Sequence, residues 1–302
     1  MRARTLPADI DSANAGPRTA QGPAPSRPAA ATVELVATSR RRRRARAVLV
    51  ITVLAVAIAS TFCVSLMVGR TFYSPEEVLR VIAGQEVPGA SFTVGRLRLP
   101  RAVLAALTGF CFGLGGVTFQ TMLRNPLASP DIIGISSGAS AAAAFGIVVL
   151  GLSGTAVSLL AITAGLAIAL MIYLLSYRGG VMGTRLILVG IGVAAILQSV
   201  TDWVLSKAGQ WDLQEALRWL TGSLNNSSWD QVTPVLGALV VLAPVLLSRA
   251  KDLRATQLGD DAASALGVRV ATTRLLVMVA AVGLISFATA ACGPIAFVAF
   301  LS

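Results

Sequence analysis

The chain has 302 residues, 55% of them hydrophobic and 13% charged, with a mean hydropathy of +0.76. A soluble domain carries about 25% charged residues, so the composition argues against an ordinary water-soluble protein. The net charge of +11 sits largely in residues 40–44 and Arg46, directly before the first apolar run, and there it reads as a topogenic, membrane-surface element rather than a nucleic-acid arm.

Residues 1–39 are rich in Ala, Pro, Ser, Thr and Gly, with Pro7, Pro17, Pro23, Pro25 and Pro28 scattered through them. No apolar period runs through this stretch, so the sequence predicts a disordered tail that, with the arginine run, extends over 1–45. The remainder, 46–302, reads as one membrane domain. Seven runs hold no Asp, Glu, Lys or Arg: 47–69, 102–123, 135–152, 155–177, 186–200, 232–248 and 275–299. Crossing a bilayer takes about 20 apolar residues per helix, and charge at its centre is costly. The expected fold is therefore all-α and polytopic. The first run is longer than a signal-peptide core and no cleavage site follows it promptly, which predicts a retained anchor helix.

Arg96-Leu-Arg98-Leu-Pro100-Arg101 stands at the mouth of the second run. Pro100 suits the first turn of a helix, which the three arginines would ring. Snorkelling to lipid phosphates and docking of an acidic partner both fit these residue types. The glycines of 109–116 predict close helix packing. Arg124-Asn-Pro126 through Pro130 and Gly138 reads as a tight turn, whose prolines stop one helix and whose glycines let the next start close to its neighbour. Residues 207–231 carry Trp211, Trp219 and Trp229 around an amphipathic stretch, an interfacial anchor in form. The charged loop 249–273 contains Leu258-Gly259-Asp260-Asp261 through Leu266-Gly267, a short surface helix with acidic residues at its dipole-favoured end.

Arginine bias orients the chain. With the tail in the cytoplasm, inner loops hold the 40–46 run, Arg124, Arg178, Arg185, Arg249, Lys251, Arg254, Arg269 and Arg274. Outer loops hold Arg70, Arg80, Lys207, Arg218 and the Arg96–Arg98–Arg101 group, which breaks the rule locally. The chain has no histidine, which excludes histidine-based catalysis. Cys63, Cys111 and Cys292 fall inside apolar runs and read as buried free thiols.

The motif strings, in their order, resemble the FecCD-type family, the membrane-spanning permeases of iron-siderophore, haem and vitamin B12 ABC importers. The carrying residues are Arg98-Leu-Pro-Arg101, Gln120 with Asn125-Pro126-Leu127-Ala128 and Pro130, Gly134 through Gly138, Leu188 to Gly190, Trp219-Leu-Thr-Gly222-Ser223, the 258–267 helix, and Gly293-Pro294-Ile295-Ala296-Phe297-Val298. The resemblance spans about residues 70 to 302. It implies a type II importer permease with seven of that family's usual ten spans, hence a C-terminally incomplete chain, in the plasma membrane of a bacterium. Arg98 and Arg101, with Arg96 beside them, would receive an extracytoplasmic substrate-binding protein. Leu258, Gly259, Asp260, Ala263, Leu266 and Gly267 would couple to an ATPase subunit that binds ATP and Mg; no cofactor is expected on this chain. Gln120 and Gly190 would line a path formed with a second permease chain, identical or different. The transported solute would be a ferric siderophore or a similar metal chelate.

Two other readings stand beside this one. The sequence has no Gly-x4-Gly-Lys loop, so energy must come from elsewhere. Charge-free spans argue against proton coupling, but a sodium-coupled secondary transporter could hold its ion on backbone carbonyls. A membrane-embedded enzyme would have to centre on Asp202 near Trp203, which marks the outer end of the fifth run instead.

Overall fold

The computed structural model describes residues 29–131, 134–176, 183–225, 227–295 and 298–301. The tail ahead of residue 29, Arg178, and the Ala296–Phe297 part of the last motif string lie outside these. Regular secondary structure among the described residues is helical throughout: α1 (Ala29–Met67), α2 (Pro75–Ile82), α3 (Ala90–Phe92), a π-helical turn (Thr93–Arg98), α4 (Leu99–Leu123), α5 (Ile135–Val148), α6 (Thr155–Ser176), α7 (Gly183–Ser206), α8 (Gln210–Thr221), α9 (Trp229–Ser248), α10 (Ala250–Thr256), α11 (Asp260–Ala265) and α12 (Val270–Cys292). Among the described residues, six helices are long and apolar enough to cross a membrane: Ala37–Met67, Ala90–Leu123, Thr155–Ser176, Arg185–Ser206, Trp229–Ser248 and Val270–Cys292. The remaining apolar run, expected over 135–152, yields only the 14 residues of α5. At 1.5 Å per residue that is ~21 Å, short of the ~30 Å hydrocarbon core. Gly151 and Gly154, both at positive φ, turn the chain just beyond it.

The chain divides into two compact units, Met1–Thr61 and Phe62–Ser302. In the first, helix begins at Ala29, so residues 29–45 are helical where the sequence predicted a disordered tail. Pro28 is the last tail proline, and neither Pro nor Gly recurs before Gly69. Between them stand Ala, Leu, Glu and Arg, good helix formers that carry the helix through the arginine run. Every side chain from 37 to 61 is exposed. Cys63, two residues beyond that unit, is exposed as well, unlike the buried Cys111 and Cys292, so the expectation of three buried thiols fails at Cys63.

In the second unit α12 is the central element. Val277, Ala281, Leu284, Ile285 and Ala288 are fully buried, and the helix packs on α4, α6 and α9. Small residues set the approach. A Cβ on Gly115 would lie 2.6 Å from the Ile285 side chain, and one on Gly138 would lie 2.8 Å from Ile168. These are close contacts that only glycine admits, as the glycine-rich stretch around 109–116 and the string 134–138 predicted. A smaller cluster of Leu66, Val78, Val94 and Ala102 seats the last turn of α1 against α2 and the start of α4. The interfacial helix expected in 207–231 is α8, with Trp211 at its exposed edge and Ala216 buried.

Candidate functional site

Two charged clusters mark the two ends of α4, which at 25 residues is ~37 Å long. At its start, the π-helical turn Thr93–Arg98 runs directly into α4. Such a turn inserts an extra residue and re-aims the side chains around it. Arg98 points back to the end of α1. Its Nη1 donates to the carbonyls of Leu66 and Met67, each at 2.9 Å, and its Nη2 to that of Thr71 at 2.6 Å. Its guanidinium carbon lies 5.1 Å from the centroid of the Tyr73 ring. The Leu66 and Met67 carbonyls lie at the C-terminus of α1, where a cation opposes the negative end of the helix dipole. Hydrogen bonding to Thr71 first, then to Thr93, with a smaller contribution from the Arg98 charge, lowers the Tyr73 phenol from its ordinary value.

Arg96 and Arg101 are placed differently. Both are exposed, and neither makes an ion pair or side-chain hydrogen bond among the described residues. The sequence grouped three arginines; the structure divides them into one internal clasp and two free cations.

At the other end of α4, Arg124 sits at φ 53° and ψ 33°, the left-handed conformation that closes the helix. For a non-glycine residue this costs about 1–2 kcal/mol. Its Nη2 donates to Asp260 Oδ1 at 2.7 Å. The same carboxylate receives Arg274 in a two-pronged pair, Nη2 to Oδ1 at 2.7 Å and Nη1 to Oδ2 at 2.9 Å. Asp260 opens α11, Arg274 lies in the first turns of α12, and Arg124 ends α4, so one carboxylate joins three elements. Arg274 was expected only as a loop charge and Arg124 only as turn punctuation. A cation inside an otherwise uncharged apolar helix needs a partner, and that is the signal by which Arg274 could have been found.

The short helix itself spans six residues. Gly259 at φ 114° and Gly267 at φ 85° bound it, and a Cβ on either would meet nothing within 4 Å. Glycine is therefore required there for backbone conformation alone. Leu258 is 71% exposed and Leu266 67%, whereas Ala263 is 0% exposed. Of the six residues assigned to coupling, the two leucines face outward, Asp260 is engaged internally and Ala263 packs into its own chain.

Gln120 Nε2 donates to the Phe300 carbonyl at 3.1 Å. Gly190 is buried, and its carbonyl would lie 3.0 Å from a Cβ on Gly134; both glycines belong to motif strings, and they hold α5 against α7. Two further strings meet at Gly222 and Gly293. Ser223 N–H donates to the Cys292 carbonyl at 2.7 Å, and a Cβ on Gly293 would lie 2.6 Å from the Cα of Gly222. Beside this crossing is a cavity of about 870 Å³, bounded by α6, α8, the start of α9 and the end of α12, with Trp211, Glu215, Arg218, Asp230 and Phe287 on its walls. Gln120 and Gly190 lie outside it. Among the described residues no group of three or more His, Cys, Asp or Glu side chains could hold a metal ion.

A family model described as the FecCD transport family matches residues 47–302. The chain is similar to the achromobactin transport system permease protein CbrC of Dickeya dadantii (strain 3937), 40% identical over 247 residues that cover 81% of this chain and 71% of that protein. It is also similar to the ferric enterobactin transport system permease protein FepG of Escherichia coli (strain K12), 35% identical over 237 residues, or 78% of this chain and 72% of that one. Among solved structures, a transporter assigned to the metal-chelate ABC type, in an inward-facing conformation, superposes with a TM-score of 0.74 at 26% identity, over 83% of this chain and 78% of that one. The motif strings, the matched span and the helical fold agree: this chain belongs to the FecCD transport family.

Proposed function

We infer that this chain is the membrane-spanning permease of an ABC importer that carries a ferric siderophore, or a similar metal chelate, into a bacterial cell. A separate ATPase supplies the energy, a substrate-binding protein delivers the chelate from outside, and a second permease chain completes the path. The supporting relatives are named for achromobactin and ferric enterobactin transport. The observation that carries the reading is the layout of α4: free cations Arg96 and Arg101 at one end, and at the other a glycine-bounded helix that presents Leu258 and Leu266 outward. In this reading the N-terminus is cytoplasmic. The arginines then face outward and attract an acidic partner, while α11 faces inward and offers an apolar knob to a groove on the ATPase.

Uptake into vesicles tests this reading. The chain is co-reconstituted with the ATPase, the binding protein and the second permease encoded with it, and supplied with a panel of 55Fe-charged catecholate, carboxylate and hydroxamate siderophores. Uptake of at least one should require internal ATP and persist after the sodium and proton gradients are collapsed. Uptake that follows the sodium gradient and ignores ATP depletion would establish secondary transport in its place.

A further inference from the structure

We propose that Asp260, Arg124 and Arg274 form the link through which movement of α11 reaches the membrane spans, so that the two arginines are positioning residues for coupling. The proposal rests on α11 being the ATPase-facing element, and adds how its motion is passed on. A helix of six residues is too short to hold itself rigid. Its flanking residues, Gly259 and Gly267, hold conformations reserved for glycine, and beyond hydrogen bonds within their own loop to Thr256, Ala263 and Ser264 there is open space where a Cβ would stand. Left to its backbone, α11 would swing on two hinges while the spans stayed still.

Two anchors prevent that. Ala263 is packed into the chain, and the Asp260 carboxylate is held by two spans at once. Arg274 grips it with a planar fork that fixes direction as well as distance, which a lysine could not do. The Arg274 side chain is only 10% exposed and that of Arg124 41%, so the α12 arm of the clasp is shielded from screening and the α4 arm is not. Displacing α11 therefore pulls on the inner ends of α4 and α12 together. α12 is buried along most of its length against α4, α6 and α9, so a tug there is carried into the packed core and not lost to lipid.

The test separates attachment from transmission. In the complex with its ATPase, Asp260→Asn keeps the side-chain shape and removes the charge. The ATPase should still co-purify and hydrolyse ATP at close to the unaltered rate, while 55Fe-siderophore uptake per ATP falls about ten-fold, inside the 5–150-fold range of ordinary coupling strengths. Asp260→Glu should recover much of that loss, and Arg274→Gln should cost more than Arg124→Gln. A second measurement needs no substrate or partner. In the full purified chain with Cys63→Ser, spin labels at Ala262→Cys on α11 and Val117→Cys on α4 should give a narrow distance distribution that broadens on adding Asp260→Asn. An unchanged distribution, or uptake per ATP equal to the unaltered complex, overturns the link. Loss of ATPase capture by Asp260→Asn also overturns it, by making Asp260 a contact residue. By contrast, ATPase capture that survives Leu258→Asp and Leu266→Asp would remove the premise that α11 faces the ATPase, and the spin-label result would still stand or fall on its own.

Discussion

Arg98 donates to the carbonyl of Met67 across 2.9 Å, and that bond ties the start of one span to the end of another. With the bonds to Leu66 and Thr71 it adds donors to backbone acceptors at the end of α1 and in the loop after it, where the Met67 carbonyl also accepts the Tyr73 N–H. The position of Arg98 beside Arg101 in sequence suggests a shared role at the surface. The geometry gives Arg98 work inside the chain as well.

Replacing Arg98 should therefore act on stability. Hydrogen bonds from a charged donor contribute roughly 1.5–3 kcal/mol each, and this site is partly exposed, so Arg98→Ala should cost about 2–3 kcal/mol in total. Arg98→Lys should recover only part of it, since an ammonium cannot span three carbonyls as a fork does. Thermal unfolding of the purified chain in detergent measures both. An Arg98→Ala chain that melts with the unaltered protein would show that the clasp contributes nothing.

Arg96→Glu with Arg101→Glu should do the reverse. Both side chains are exposed and engage no described residue, so melting should be unchanged. Association with the extracytoplasmic binding protein should weaken, mainly through a slower on-rate and a lost salt dependence. Surface-capture kinetics at two ionic strengths would read this directly. Equal on-rates for the two forms would remove these arginines from the docking surface.

The apolar runs were legible because lipid tolerates so few alternatives: a segment without charge must be helical, and its length tells whether it spans. Legibility failed where the outcome depended on one residue's conformation or on a remote partner. The run at 135–152 carries enough apolar residues to span, but Gly151 takes positive φ and the helix has already stopped at Val148. Arg98 and Arg101 are indistinguishable in a string of alternating Arg and Leu; a π-helical turn decides which one turns inward. Asp260 reads as an acid at the dipole-favoured end of a surface helix; that one carboxylate joins Arg124, 136 residues away, to Arg274, 14 residues away, is not visible in the string. The motif strings were correct as a set, yet nothing in them said that Gly134 meets Gly190 or that Gly222 meets Gly293.

That last meeting makes its own prediction. Gly222 and Gly293 both hold positive φ, at 68° and 76°, and a Cβ on Gly222 would lie 2.7 Å from the Pro294 carbonyl oxygen. Backbone strain and overpacking each cost about 1–3 kcal/mol, so Gly222→Ala and Gly293→Ala should each lower stability by about 2–4 kcal/mol. Gly237 provides the control. It has ordinary φ and nothing within 4 Å of its would-be Cβ, so Gly237→Ala in the isolated chain should be neutral or gain about 0.5–1 kcal/mol through helix propensity. The fraction of chain that stays monodisperse after heating ranks the three; equal losses for all three would mean that the crossing is not a tight contact.

On α11 the direction of each side chain separates two kinds of variant. Leu258 and Leu266 are exposed, and burying them on a partner is the only apolar gain open to them. Leu258→Asp and Leu266→Asp should leave the chain's own melting unchanged and abolish co-purification of the ATPase. Burying a leucine side chain is worth about 1.5–3 kcal/mol, so the pair accounts for a loss of affinity of two to four orders of magnitude. Ala263→Leu is the opposite case. Ala263 is fully buried in its own chain, and the added volume should cost about 1–3 kcal/mol of stability before any partner is present. A bulky residue at Ala263 is thus a poor probe of coupling, because it damages the seat of the helix along with its reach. If Ala263→Leu melts normally yet loses the ATPase, the helix presents its alanine face to the partner and the leucines flank the groove without filling it.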